Sequence, residues 1–503
     1  MYVPDGPPLY VAAREGRAGA VQVLIDGGAD VNEALQGRTP LGPAAARGHA
    51  RVVQALIDAR KDQAMNAGAT PLFVAAQEGH LGAVQVLIDA RADLNLAADD
   101  GAAPLFVAAQ EGHLGAVQAL IDARADLNLA AGGGATPLVM AAQNGHLGAV
   151  QALIEARADL NLTMNAGATP LFVAAQEGHL GAALIDAHAD LNQAMNAGAT
   201  PLFMAAQNGH LGAVQALIDA HADLNLAWRD GAMPLFVAAH EGHLGAVQAL
   251  IDAHADLNLA TDAGTTPLVI AAHEGHLGAV QALIDARADL NLAMNGGTTP
   301  VSMAVQKGHC DVMKLLVAAG ADTNEADKDG WTSLHWAASR DDGDSLKVLI
   351  AAGADVDRAD GRGRTPSIVA VHRGNAGALG TLISEGADVR VALTAVEAVL
   401  KTQQVGKAAQ RAENAALSAK IAGLFAENAA LSAENAGLRE GARVNVVEME
   451  TDCVVHETLP KYPRAAPLAE AVEAGAAPPP SPHPAVHRAN TKKVALKRER
   501  DDT

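Results

Sequence analysis

Proline recurs in one frame through most of this chain: Pro8, Pro40, Pro71, Pro104, Pro137, Pro170, Pro201, Pro234, Pro267 and Pro300, then Ser333 in the same frame, then Pro366. Most steps are 33 residues, as from Pro71 to Pro104. Such a period constrains the fold more than any other property, because each copy is one supersecondary unit that hides its apolar faces only against its neighbours. A length of 503 residues would otherwise suggest about three globular domains of ~150 residues, but a repeat array grows by stacking.

The unit can be read residue by residue. Thr70 is placed to cap a helix by accepting an orphan amide hydrogen bond, and Pro71 suits the first helical position, where its missing N–H is not needed. Leu72, Val74, Ala75 and Ala76 give this helix a narrow apolar side, and Gly79 is placed to end it in a left-handed conformation before His80. Val84, Leu87 and Ile88 then recur at three- and four-residue spacing, which predicts a second, antiparallel helix whose face packs on the next unit. Asp93, Leu94 and Asn95 open a turn-rich stretch. Hydrophobic residues make up 50% of the chain but aromatics only 2%, so the core is expected to be thin layers of Ala, Leu, Val and Ile between closely stacked helices.

Twelve such units, over roughly residues 5–390, resemble the ankyrin repeat. The resemblance implies an all-α solenoid of helix-turn-helix units with short β-hairpin fingers, and partners gripped by the fingertips and the exposed face of the first helix. Two departures from the family pattern stand out. The histidine that usually follows Thr-Pro-Leu is replaced by Phe73, Phe106, Val139, Phe172, Phe203, Phe236 and Val269, and only His335 retains it. The glycine that usually precedes Ala-Asp persists as Gly28, Gly320, Gly353 and Gly386, whereas Arg91, Arg124, Arg157, His188, His221, His254 and Arg287 occupy the middle copies. If the backbone there keeps positive φ, each of those residues costs about 1 kcal/mol. Two length defects also break the frame: residues 178–184 lack the Val-Gln of their neighbours, and the stretch from Ala59 to Gln63 is two residues short. The first is expected to shorten a helix, the second a finger.

Beyond residue 390 the frame stops. Leu417, Leu424, Leu431 and Leu438 follow at seven-residue spacing, each three residues after Asn414, Ile421, Asn428 or Asn435. These are d and a positions of a heptad, and the segment 391–440 resembles a leucine zipper. Leucine at d with asparagine at a favours a parallel homodimer, while a lone helix folded back on the array is the alternative. Only Lys401 and Lys407 precede it in Val399–Gln410, so the basic helix with which zipper proteins enter the major groove is missing. Residues 441–503 read as a Pro-rich, disordered tail closed by Lys492, Lys493, Lys497, Arg498 and Arg500.

The formal charge of −21 argues against direct nucleic-acid binding. Cys310 and Cys453 form neither a disulfide framework nor a metal pair. The opening residues lack a basic run followed by an apolar stretch, and no segment reaches ~18 uninterrupted apolar residues. These point to a cytoplasmic protein without a membrane segment, with a nuclear address possible for the basic end. His-Glu-Gly-His at 240–243 and 273–276 lacks the i, i+4 spacing of a zinc helix, and its second histidine is the one that recurs in every neighbouring copy. No catalytic constellation, metal site or cofactor is implied. The expected function is therefore a protein-protein scaffold or adaptor. A nuclear transcriptional or chromatin-associated regulator acting through protein contacts is the second reading. Candidate partner contacts are the places where copies diverge: Trp228, Arg229 and Met233 at one fingertip, His240 and His273 on adjacent first helices, and Lys328 with Trp331 at a second fingertip. Trp, Met and Arg are enriched in interface cores. Trp331 packing on Trp336 is the plainer alternative for the second fingertip.

Overall fold

A computed structural model of the chain describes residues 6–59 and 70–403, together with Ala419 and Gly423. Helices alternate in pairs throughout the repeats. In the fullest copy the pair is Pro71–Gln77 and Leu81–Asp89, and it recurs as Pro104–Gln110 with Leu114–Asp122, Pro201–Gln207 with Leu211–Asp219, and so on to Pro366–Arg373 with Ala376–Ser384. First helices pack on first helices, second on second, and the two helices of a unit on each other. This is the all-α solenoid expected.

The fingers are the point of difference. Among the described residues there is no strand, only one isolated bridge between Leu35 and Arg38. Each described finger is a tight turn closed by two backbone bonds, as where Ala98 N–H donates to Ala102 O and Gly101 N–H to Ala98 O, both at 2.9 Å. Two bonds are too few to form a strand ladder, so the hairpins expected from the resemblance reduce to turns.

Helix starts follow the Thr-Pro signal. Thr70 Oγ1 accepts from Phe73 N–H at 3.0 Å, and Thr136, Thr169, Thr200, Thr266, Thr299 and Thr365 cap in the same way. The bond is absent in the first two copies, where Pro7 and Pro40 stand at the cap, and where Ala103 and Met233 occupy it. Ala103 and Thr136 occupy equivalent positions and are equally buried, so a threonine fits. Ala103→Thr is expected to stabilise the array by about 1 kcal/mol, the usual worth of an N-cap oxygen; a denaturation midpoint that stays put or falls would contradict this.

The core is thin, as the composition implied. Ala75, Ala76, Val84 and Leu87 have no measurable exposure, and Phe172, Phe203 and Phe236 are the largest fully buried side chains. The phenylalanines thus replace the family's histidine by apolar packing. His335 keeps the polar arrangement instead: its Nδ1 accepts from Thr332 N–H at 3.1 Å and its Nε2 bonds Arg364 O at 3.0 Å.

Backbone conformation agrees with the sequence reading at two positions. Gly79 has φ +72°, and Arg91, Arg124, Arg157, His188, His221, His254 and Arg287 lie between +62° and +69°. Seven consecutive repeats therefore hold a branched-at-Cβ-free but non-glycine residue in the left-handed region, where the Cβ crowds the following carbonyl.

The missing Val-Gln shortens its helix to Ala182–Asp186, against nine residues in its neighbours. Beside it opens a cavity of about 380 Å³ lined by Leu147, Val150, Ala174, His179, Leu180 and Leu184, among others. The second length defect lies outside the described residues, as do the heptad and the tail. The last described helix, Val389–Gln403, buries Ala392, Ala395 and Val396 and packs on Pro366–Arg373. The boundary expected at residue 390 therefore falls inside a helix that extends the packed array.

Candidate functional site

Three ladders of hydrogen bonds run along the array, while the recurrent Gln and Asp of the second helices, such as Gln85 and Asp89, pair within their own helix. The first is made by histidine. His80 Nε2 bonds Ala46 O at 3.1 Å, His113 bonds Gln77 O at 2.9 Å, His243 bonds Gln207 O at 3.0 Å and His309 bonds His273 O at 2.9 Å, each reaching the end of the preceding first helix. The glycine of the preceding repeat makes room for the ring: a Cβ on Gly79 would lie 2.6 Å from His113 Nδ1. Among the described residues the ladder breaks at His179, ahead of the shortened helix. Arg340 continues it at the C-terminal end by donating to Gln306 O at 3.0 Å.

The second ladder joins the turns after the second helices. Asp93 Oδ1 accepts from Asn95 N–H, and Asn95 Oδ1 accepts from Asp126 N–H of the next repeat at 2.8 Å. The pair repeats through Asn128, Asn161, Asn192, Asn225, Asn258, Asn291 and Asn324. The third joins fingers, as where Asp262 N–H donates to Asp230 O at 2.9 Å and Lys328 N–H to Gly296 O at 2.9 Å. The recurrence of His and Asp-x-Asn was visible in the sequence, but a carbonyl partner one repeat away carries no side-chain signature.

Arg229, Lys328 and neighbouring fingertip side chains stand outside the ladders, and there the candidate residues divide. Arg229 is exposed at its fingertip, with a guanidinium nitrogen 3.5 Å from Asn196 O. Trp228 is half-buried, its ring 5.4 Å from that of Phe203 at an interplanar angle of 52°, and its Nε1 is buried without a partner. The backbone bond that joins other neighbouring fingers is not formed between 196–199 and 228–232, where this indole packs. Met233 is a correction. It is 5% exposed at the cap position before Pro234, so it is a core residue and cannot meet a partner.

His240 and His273 lie at the ends of adjacent first helices and share Glu274. His273 Nδ1 is 2.6 Å from Glu274 Oε1 and His240 Nε2 is 3.9 Å from the same oxygen, while His240 Nδ1 is 3.1 Å from Glu241. Burial, aided by the Lys307 charge, pushes the His273 pKa down. Both side chains are largely covered. At the second fingertip Lys328 is exposed, whereas Trp331 packs on Trp336 with ring centroids 4.6 Å apart, donates from Nε1 to Asp360 Oδ2 at 3.1 Å, and carries Arg364 over its face at 5.6 Å. Asp360 also pairs with Arg364 at 2.7 Å. Burial would raise the Asp360 pKa, but the hydrogen bonds and charge of Arg364 hold it below the usual value.

His335 beneath this cluster is pushed down by burial. It is neutral in the fold, while the unfolded chain takes up a proton near pH 6.5. The stability it contributes is therefore complete above that pH and is lost as pH falls below it. Hydrogen exchange through residues 332–364, corrected for its intrinsic pH dependence, is expected to accelerate between pH 7.5 and 5.5; a constant corrected rate would count against this.

Sequence reading missed one surface feature. Leu81, Leu114 and Leu147 begin a row of exposed leucines at the starts of the second helices. They stand three residues before Val84 and its equivalents, outside the stripe read from the sequence, and remain about half exposed even where they touch the glycine of the next repeat, as Leu81 does at Gly115. The heptad residues Asn414, Leu417, Ile421, Leu424, Asn428, Leu431, Asn435 and Leu438 lie outside the described residues. Among the described residues no helix is long and apolar enough to cross a membrane, and no three metal-binding side chains converge.

A helix-pair repeat of this period, stacked through histidine and asparagine ladders, is the architecture of an ankyrin solenoid. The family model described as ankyrin repeats (3 copies) matches in overlapping windows from residue 9 to residue 392, and the chain belongs to that family. Ankyrin repeats generally mediate protein-protein interactions. Comparison with curated proteins gave no match.

Proposed function

We propose that this chain is a scaffold or adaptor that holds a protein partner on its fingertips. The observation that carries this reading is the division of labour among its residues. Recurrent Thr, Gly, His, Asp and Asn hold repeats together, and the divergent, exposed side chains collect at fingertips such as Asp99 and Asp100, Arg229 and Asp230, and Lys328 and Asp329. Binding specificity in a repeat array belongs to positions that the stack does not use.

The exposed charges are the cleanest probes, because Trp228 and Trp331 also pack within the array and their loss would disturb the fold. The full chain and its Arg229→Glu/Lys328→Glu variant serve as baits in native extract, with helicity by circular dichroism as the folding control. A defined protein enriched by the parent and reduced at least tenfold with the variant supports the reading. Retention of the same proteins by both baits overturns the assignment of these two fingertips.

A further inference from the structure

The leucine row runs from Leu81 to Leu277, one residue per repeat over seven repeats, and each member is 46–59% exposed. It breaks once, at the shortened helix, where Gly181 faces Leu171 and not Leu147; from Leu180 to Leu277 it is unbroken, and each leucine leans on the glycine of the next repeat, so that a Cβ on Gly212 would lie 3.1 Å from Leu180, one on Gly245 3.2 Å from Leu211 and one on Gly278 3.1 Å from Leu244. The row ends where the equivalent positions become Cys310, Gly343 and Ala376. An exposed apolar row that runs unbroken over four repeats marks an interaction site.

We propose that the occupant is the chain's own segment 414–438, laid along the row as a helix with one leucine per repeat. Leu417, Leu424, Leu431 and Leu438 are seven residues apart, which in a helix is about 10.5 Å. Packed helices lie about 8–10 Å apart, so successive leucines of segment and row keep step over four repeats. Both surfaces are small beside their leucines: the row offers glycine, and the segment offers Ala415, Ala416, Ala422, Gly423, Ala429 and Ala430, which allows close backbone approach. The reach is also sufficient. The described array ends at Gln403 on the last repeat, and residues 404–413 extend up to about 33–36 Å. That covers the three repeat steps back to Leu277 at about 10 Å each, placing Leu417 over Leu277, Leu424 over Leu244, Leu431 over Leu211 and Leu438 over Leu180. The helix would cover the row from Leu180 to Leu277 and leave the fingertips free for a partner.

The test uses the full chain, its mass by light scattering and hydrogen exchange of 414–438 at two protein concentrations. Slow exchange that is independent of concentration in a monomeric chain, and lost in Leu211→Ser/Leu244→Ser with repeat helicity intact, is the expected result. The reciprocal Leu424→Ser/Leu431→Ser variant should lose the same protection and raise dye binding to the row. Protection that survives in the row variant, or that grows with concentration in a dimer, assigns the segment to a coiled coil between two chains and overturns the proposal. Absence of protection in the parent chain overturns it as well.

Discussion

Replacing Arg91, Arg124, Arg157, His188, His221, His254 and Arg287 by glycine is expected to raise the unfolding midpoint of this protein more than any other surface change. All seven hold φ between +62° and +69°, where an L-residue with a side chain loses about 1–2 kcal/mol to its own Cβ. Glycine returns part of that gain through the greater freedom of the unfolded chain, about 0.5–1 kcal/mol. A net gain of about 0.5–1 kcal/mol per site is therefore expected. Repeat stabilities add approximately, so the sevenfold variant should gain several kcal/mol, read as a higher midpoint in thermal or chemical unfolding. The exchange is reciprocal. Gly320 holds φ +92° with open space around an added Cβ, so Gly320→Arg should lower the midpoint by a similar single-site amount. The parent chain should also open first in its middle repeats, and uniform hydrogen-exchange protection across the array would sink that idea.

The second large effect comes from the glycine that faces the histidine ladder. Gly209 has φ +72°, and a Cβ there would lie 2.6 Å from His243 Nδ1. Gly209→Ala therefore pays the left-handed penalty and also displaces the ring that bonds Gln207 O at 3.0 Å. Adding about 1–2 kcal/mol for the backbone to about 1 kcal/mol for the hydrogen bond gives a loss of about 2–3 kcal/mol. Gly374→Ala is the control, because Gly374 has a similar φ of +79° but nothing within 4 Å of an added Cβ. If the two variants lost equal stability, the close approach to histidine would carry no energy and the ladder would be incidental.

The contrast between these positions indicates what could be read from the sequence. The frame of prolines, the Thr caps, the left-handed Gly79 and the shortened helix after Gly178 were all legible, because each is decided within one repeat by local chemistry. The strained Arg91 series was legible as well, since the resemblance supplied a glycine where this chain has none. Contacts between repeats were not. His80 could be recognised as structural from its recurrence, but its acceptor is a main-chain carbonyl 34 residues away, and no residue type marks that carbonyl. The bond from Asp126 N–H to Asn95 was hidden for the same reason, although Asp-x-Asn itself recurs visibly. At the candidate site, Arg229 and Lys328 are exposed as divergence suggested, while Met233 is buried because it stands at a cap position, where divergence changes the core and not the surface. Trp331 follows its plainer alternative by packing on Trp336.

The most direct test of the account is hydrogen exchange of the full chain with and without the protein it captures. The account predicts new protection confined to fingertips, above all around residues 228–231 and 327–331, with the second helices and the leucine row unchanged. Protection confined to the second helices, or to residues beyond 403, would contradict it.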